Sequence, residues 1–203
     1  MRKMILLLAI ALAIVPCTAW AALTTLTFDE APFQPADGLT VQGVTFGFQS
    51  ANPSPSANYN VPVPFPLTYI QNAALVGDGD GVLTLDFAAN PTPTLRFGVA
   101  QTSLEALTPG FSVILFDPNL LELSTIDVNT SPLLSFSEGL FDYSGALVGF
   151  AAIRFAIGEQ GEFALDNLTY GTPDNVVPEP STFLLLGAGI AGVIVMRRKL
   201  KVN

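Results

Sequence analysis

At 203 residues and a formal charge of −9, the chain has no histidine and one cysteine, Cys17. Disulfide scaffolds, zinc fingers, Cys–His nucleophile pairs and imidazole general bases are thereby excluded for its body. Between residues 22 and 175 only Arg96 and Arg154 oppose sixteen acids, a net of −14; such a surface repels phosphate backbones and argues against nucleic acid or anionic lipid as the body's partner.

In chain order, Arg2 and Lys3 precede an apolar run from Met4 to Val15, which closes with Pro16 and the small residues Ala19 and Ala21. A basic start, a short apolar run and an A-x-A site predict a signal peptide over residues 1–21, cut after Ala21. Pro16 stands before Cys17 where a lipoprotein signal requires a small residue, and cleavage removes the only thiol.

From Leu23 to Tyr170, short apolar-alternating runs are separated by Gly, Pro, Asn and Asp. Leu26 and Phe28 alternate, as do Val44, Phe46 and Phe48; Leu83, Leu85 and Phe87; and Leu95, Phe97 and Val99. Further runs begin at Phe111, Leu120, Leu147 and Phe163. This period-two pattern predicts about eight antiparallel strands in residues 22–172. With no helical period to supply a cover, the strands must bury their apolar faces against one another, which predicts an all-β, jelly-roll-like two-sheet sandwich. Of the chain's fifteen phenylalanines, most supply its core.

Residues 49–66 interrupt the rhythm with Pro, Ser and Asn and read as a long surface loop. Such a loop can set Tyr59 and Phe65 beside a ligand groove. The acidic run Gly77–Gly81 reads as a hairpin turn before the strand at Val82, too short for an EF-hand. Asp29 and Glu30 follow the first strand, and Asp166 and Asn167 lie in the last. Where first and last strands are neighbours, these four form an oxygen-only set suited to structural calcium. Asp166 shares strand parity with Ala164 and Leu168, so the pattern leaves open which face it takes. Sixteen acids also permit a secreted carbohydrate-active hydrolase using paired carboxylates, although no pair is marked out.

Residues 173–182 read as a linker containing Val177, Pro178, Glu179 and Pro180. The apolar stretch 183–196 predicts a single transmembrane helix of about 21 Å, short against a hydrocarbon core of roughly 30 Å. Ser181 and Thr182 at one end and snorkelling Arg197 and Arg198 at the other bring it within reach of a thin span. The basic tail, 197–203, then stays cytoplasmic. Gly187, Gly189 and Gly192 have G-x-G-x-x-G spacing, but a dinucleotide turn needs a returning strand with an acid about twenty residues on. Only eleven residues follow Gly192, so these glycines read as small residues of an apolar helix.

The order Val177-Pro178-Glu179-Pro180, apolar helix, Arg197-Arg198 resembles the PEP-CTERM sorting signal of Gram-negative bacteria that secrete exopolysaccharide. The body, with "TFDE" near its start and "GEFALDNLTY" before the linker, is similar to the β-sandwich cargo that precedes such tails. The resemblance implies recognition by an exosortase, a membrane-embedded transpeptidase that acts near the Pro-Glu-Pro. Pro178 and Pro180 keep that segment extended and outside the helix, where the enzyme can grip it. The implied protein is exported, held by one C-terminal helix in the inner membrane until processing, and then displayed at the cell surface or released. It is not an enzyme but a structural or glycan-binding component, with exopolysaccharide as its implied partner. No cofactor is implied beyond the structural calcium.

Overall fold

The computed structural model describes residues 23–50, 56–63, 67–158 and 161–171, all within one compact unit, Ala21–Pro173. The predicted signal peptide, linker, transmembrane helix and basic tail lie outside these residues. Every regular element among the described residues is a strand, and every pairing is antiparallel.

The strands are β1 (Thr24–Leu26), β2 (Gln34–Pro35), β3 (Thr40–Val41), β4 (Val44–Gln49), β5 (Ala57–Pro62), β6 (Ala73–Asp78) and β7 (Val82–Asp86). They continue with β8 (Thr92–Gln101), β9 (Leu107–Phe116), β10 (Glu122–Leu133), β11 (Phe136–Val148), β12 (Phe150–Phe155) and β13 (Glu162–Gly171). One layer runs β2-β5-β6-β13-β8-β11 and the other β10-β9-β12-β7-β4-β3. Strand β10 joins them, pairing with β9 from Glu122 to Thr130 and with β11 from Ser131 to Leu133. The inner order β6-β13-β8-β11 against β7-β12-β9-β10 is that of a jelly roll. The first strand pairs with the last, Thr25 opposite Thr169 and Leu26 opposite Leu168.

The alternating residues fill the space between the layers. Leu26, Phe28, Phe46, Leu83, Leu85, Phe87, Leu95, Phe97 and Val99 are all buried. Rings from opposite layers meet: Phe48 with Phe163 at 6.0 Å, Phe97 with Phe111 at 6.2 Å and Phe46 with Tyr59 at 5.9 Å. Each such pair adds about 0.5–1.5 kcal/mol beyond the area it buries.

The run beginning at Leu147 is not one strand. It divides at Gly149 into β11 and β12, which belong to different layers. A side chain at Gly149 would lie 2.6 Å from the Pro118 Cα, so glycine lets the chain cross between layers past the β9–β10 turn. The segment at Gly77–Gly81 is a turn but not a hairpin, because β6 and β7 lie in different layers. Its acids brace the preceding chain: Asp78 Oδ2 accepts from the Ser56 N–H at 2.9 Å and Asp80 Oδ1 from the Ser50 hydroxyl at 2.8 Å.

Candidate functional site

The outer face of the β13-β8-β11 layer carries small residues where a sandwich surface ordinarily carries long polar ones. Gly98, Ala100 and Ala164 leave room for a strap, residues 67–72, to lie across the sheet. Leu67 and Ile70 of the strap are buried over Ala74 and Ala100, with Val63, Val76, Phe136 and Ala164 around them. Burying two aliphatic side chains stabilises by about 1.5–3 kcal/mol each. The strap closes on itself through Leu67 N–H to Ile70 O, 2.9 Å, and Val63 N–H to Asn72 O, 2.8 Å.

Two buried carboxylates hold it from either side of β8. Glu138 on β11 accepts from the Thr68 N–H at 3.0 Å and the Tyr69 N–H at 3.1 Å. Asp166 on β13 accepts from the Gln71 N–H at 2.7 Å. These are backbone donors that a strap without a ladder would otherwise leave unpaired, and charged acceptors make the bonds strong. Asn167 completes the clamp, its Nδ2 donating to the Tyr69 carbonyl at 3.0 Å.

Asp166 is 1% exposed, and burial pushes its carboxyl up to about 6; the Gln71 and Asn167 N–H groups pull it back, while Glu30 and Asp29 add to the rise. Its facing follows from a bulge. Asn167 has φ 55°, a left-handed conformation that Asn tolerates, and the register of β13 on β8 shifts between Asp166 and Thr169. Leu165 and Leu168 consequently both point into the core, and Asp166 faces the strap.

Clamped in this way, Tyr69 sits directly on Gly98, where an added Cβ would come within 2.5 Å of the Tyr69 Cβ. Tyr69 is half-buried and lines two hollows. One, of about 330 Å³, is lined by Thr25, Gln71, Arg96, Asn167 and Thr169. The other, of about 410 Å³, is lined by Asn129, Ser131, Pro132 and Glu138. Both also touch Thr68, Tyr69 and Leu140. Thr25, Thr169 and Arg96 of the first hollow form a lateral row across three strands set by the register, and Asp142 on β11 is next along that row. The two threonine hydroxyls lie 2.9 Å apart. Among the described residues, Arg96 has one ion pair, to Asp142 at 3.8 Å, with both side chains more than half exposed.

The residues singled out in the sequence fall as follows. Tyr59 is not on a loop beside a groove: it lies on β5, is 0% exposed and packs on Phe28 at 5.1 Å. The Pro-rich stretch hides a strand because Asn60 enters the left-handed region, φ 58°, and a register shift between Asn58 and Val61 absorbs the irregularity. Phe65 lies outside the described residues. Glu30 accepts the Tyr59 hydroxyl at 2.6 Å, so the core phenol has its partner. Burial pushes the Glu30 carboxyl up, but hydrogen bonds from Tyr59 and Thr27 outweigh it and leave its pKa lowered; burial and Glu30 push the Tyr59 phenol up.

The β1–β13 pairing puts Asp29, Glu30, Asp166 and Asn167 in one neighbourhood. Asp29 accepts from the Thr27 hydroxyl at 2.8 Å, and Asp166 Oδ1 accepts from the Asn167 N–H at 2.6 Å. Among the described residues no group of three or more acidic side chains is arranged to hold a metal ion. Likewise, no helix among them is long and apolar enough to cross a membrane. Val177, Pro178, Glu179, Pro180, Arg197 and Arg198 lie outside the described residues. Sequence reasoning missed Tyr69, Arg96, Glu138 and the strap, because a half-buried tyrosine in "PLTYIQN" carries no periodic signal.

Residues 176–199 match the family model of the PEP-CTERM protein-sorting motif. The chain thus carries a C-terminal protein-sorting motif, the mark of an exported protein. Among solved structures, the body is similar to a family 29 carbohydrate-binding module at 14% identity and TM-score 0.45, over 81% of this chain and 98% of that one. It is also similar to variants of the module CBM29-2: one complexed with mannohexaose, at 15% and 0.45 over 76% and 94%, and one complexed with cellulohexaose, at 13% and 0.44 over 80% and 100%. No curated protein matches the sequence.

Proposed function

We propose that this is a non-enzymatic glycan-binding protein of the surface or extracellular matrix, made by a Gram-negative, exopolysaccharide-producing cell. Its leader exports it, its C-terminal helix holds it in the inner membrane, and an exosortase removes or exchanges the tail near Val177–Pro180. The sorting motif supports the first part of the reading. The groove supports the second, and the observation that carries it is Tyr69, pinned on Gly98 by carboxylates on either side.

An aromatic residue whose backbone is held in place, flanked by hydroxyl, amide and guanidinium groups, suits a sugar, whose ring presents C–H faces for stacking and hydroxyls for hydrogen bonding. Holding that backbone beforehand lowers the entropy lost when a ligand arrives. The rival reading, a hydrolase with paired carboxylates, has less support, since Glu138 and Asp166 both hold strap amides. The test is binding of the purified chain to the host's polysaccharide. Tyr69→Ala is expected to weaken it by about tenfold or more, equivalent to about 1.4 kcal/mol, with no reducing ends released. Unchanged binding in that variant, or release of reducing ends by the parent protein, refutes the proposal.

A further inference from the structure

We infer that the groove takes the interior of a linear, uncharged polysaccharide chain, not a chain end and not a polyuronate; this rests on the glycan-binding reading above. The two hollows are adjoining lobes that share Thr68, Tyr69 and Leu140 as lining. At about 330 and 410 Å³, each lies near the lower end of the range of roughly 300–1,000 Å³ found for small-molecule sites. Neither lobe is an enclosed pocket, and Tyr69 belongs to the lining of both. A site that recognised a chain terminus would place its aromatic residue at a closed end, whereas here Tyr69 is shared by two open hollows with polar groups in each.

The polar groups also differ from lobe to lobe in a way that suits successive sugar units. On one side are Thr25, Gln71, Arg96, Asn167 and Thr169; on the other are Asn129 and Ser131. Arg96 brings donors only, whereas the Thr25 and Thr169 hydroxyls and the Gln71 and Asn167 amides both donate and accept, so the first lobe can meet sugar hydroxyls in either sense.

Charge sets the remaining term. Arg96 is the one cation lining either lobe and already faces Asp142 at 3.8 Å, while Glu138 lines the second lobe. The body around them carries a net −14. A carboxylate-bearing chain meets repulsion over most of its length, and rejecting it by like charge is as effective a route to specificity as added attraction.

The test uses the full-length purified chain and a panel of linear neutral polysaccharides (a β-glucan, an α-glucan and a galactan), with polygalacturonate as the charged counterpart. Fragments of two to eight units of the best binder are titrated calorimetrically. Affinity is expected to rise at least tenfold from two to six units, to survive blocking of the non-reducing end, and to exceed that for polygalacturonate. Thr169→Ala and Asn129→Ala, one in each lobe, are each expected to weaken the six-unit fragment at least threefold while both variants stay fully folded at the assay temperature, read by circular dichroism. Equal affinity for two and six units, loss of binding on end-blocking, or equal binding of polygalacturonate overturns this inference and leaves glycan binding standing. Failure of every polymer to bind, with Tyr69→Ala indistinguishable from the parent, removes both.

Discussion

Replacing Gly98 with alanine tests the strap, the clamp and the site together. The new methyl would lie 2.5 Å from the Tyr69 Cβ and 2.8 Å from the Tyr69 carbonyl oxygen, against the roughly 3.5–4.0 Å that carbon atoms prefer. The oxygen belongs to the strap backbone, so rotating a side chain brings no relief, and the strap must rise by about 1 Å. A rise of that size takes the Thr68 and Tyr69 N–H bonds to Glu138, at 3.0 and 3.1 Å, beyond hydrogen-bond reach. Overpacking of this kind costs about 1–3 kcal/mol and each of the two lost bonds about 1 kcal/mol more, so roughly 3–5 kcal/mol is expected. For a domain of this size that lowers Tm by roughly 6–20 °C. The assay is a thermal melt together with amide hydrogen exchange at Thr68, Tyr69 and Gln71, which should lose protection before the rest of the sheet. If Gly98→Ala melts within about a degree of the parent and these amides exchange as slowly, the clamp described here is wrong, whatever the domain binds.

Three further tests address separate parts of the account. The Asp166 carboxyl is raised from 3.8 to about 6 chiefly by burial, so the folded state holds its proton more tightly. The stability this group contributes is greatest below pH 3.8 and is lost as pH rises to 6. The stability difference between the parent and Asp166→Asn should therefore shift by up to about 3 kcal/mol across that window; a pH-independent difference refutes this. Calcium proposed at Asp29, Glu30, Asp166 and Asn167 predicts a lower Tm after chelation, an effect absent from Asp166→Ala, and superimposable melting curves would leave the hydrogen bonds as the whole explanation. Glu179→Ala should leave uncleaved protein in the inner membrane of a host that carries the sorting enzyme, and unchanged processing counts against that route.

The all-β character and much of the core were legible because alternation is a direct image of the pleat. Leu83, Leu85 and Phe87 could be assigned to the inner face from spacing alone. What escaped was whatever broke the two-residue period. Strand β5 is written in "ANYNVP", β6 in "AALVGD" and β11 in "FSEGLFDYSGALV", where small or turn-prone residues mask the signal. Tyr59 was placed at the surface on composition, yet its environment is set by Phe28 and Phe46, which reach it from elsewhere in the chain. The facing of Asp166 was undecidable from parity because the bulge at Asn167 resets it. The pairing of the first strand with the last was legible in the jelly-roll expectation. The groove was not, since it depends on a nonperiodic strap lying over Gly98.

The strand that leads toward the sorting motif, β13, is an interior strand, with β8 along one side and β6 and β1 sharing the other. Pull exerted through the tail therefore runs lengthwise along two rows of hydrogen bonds, which have to break together in shear; an edge strand would peel away one bond at a time. On the proposed reading, with the tail held and a polymer in the groove, the load falls along the direction in which these rows of hydrogen bonds resist best.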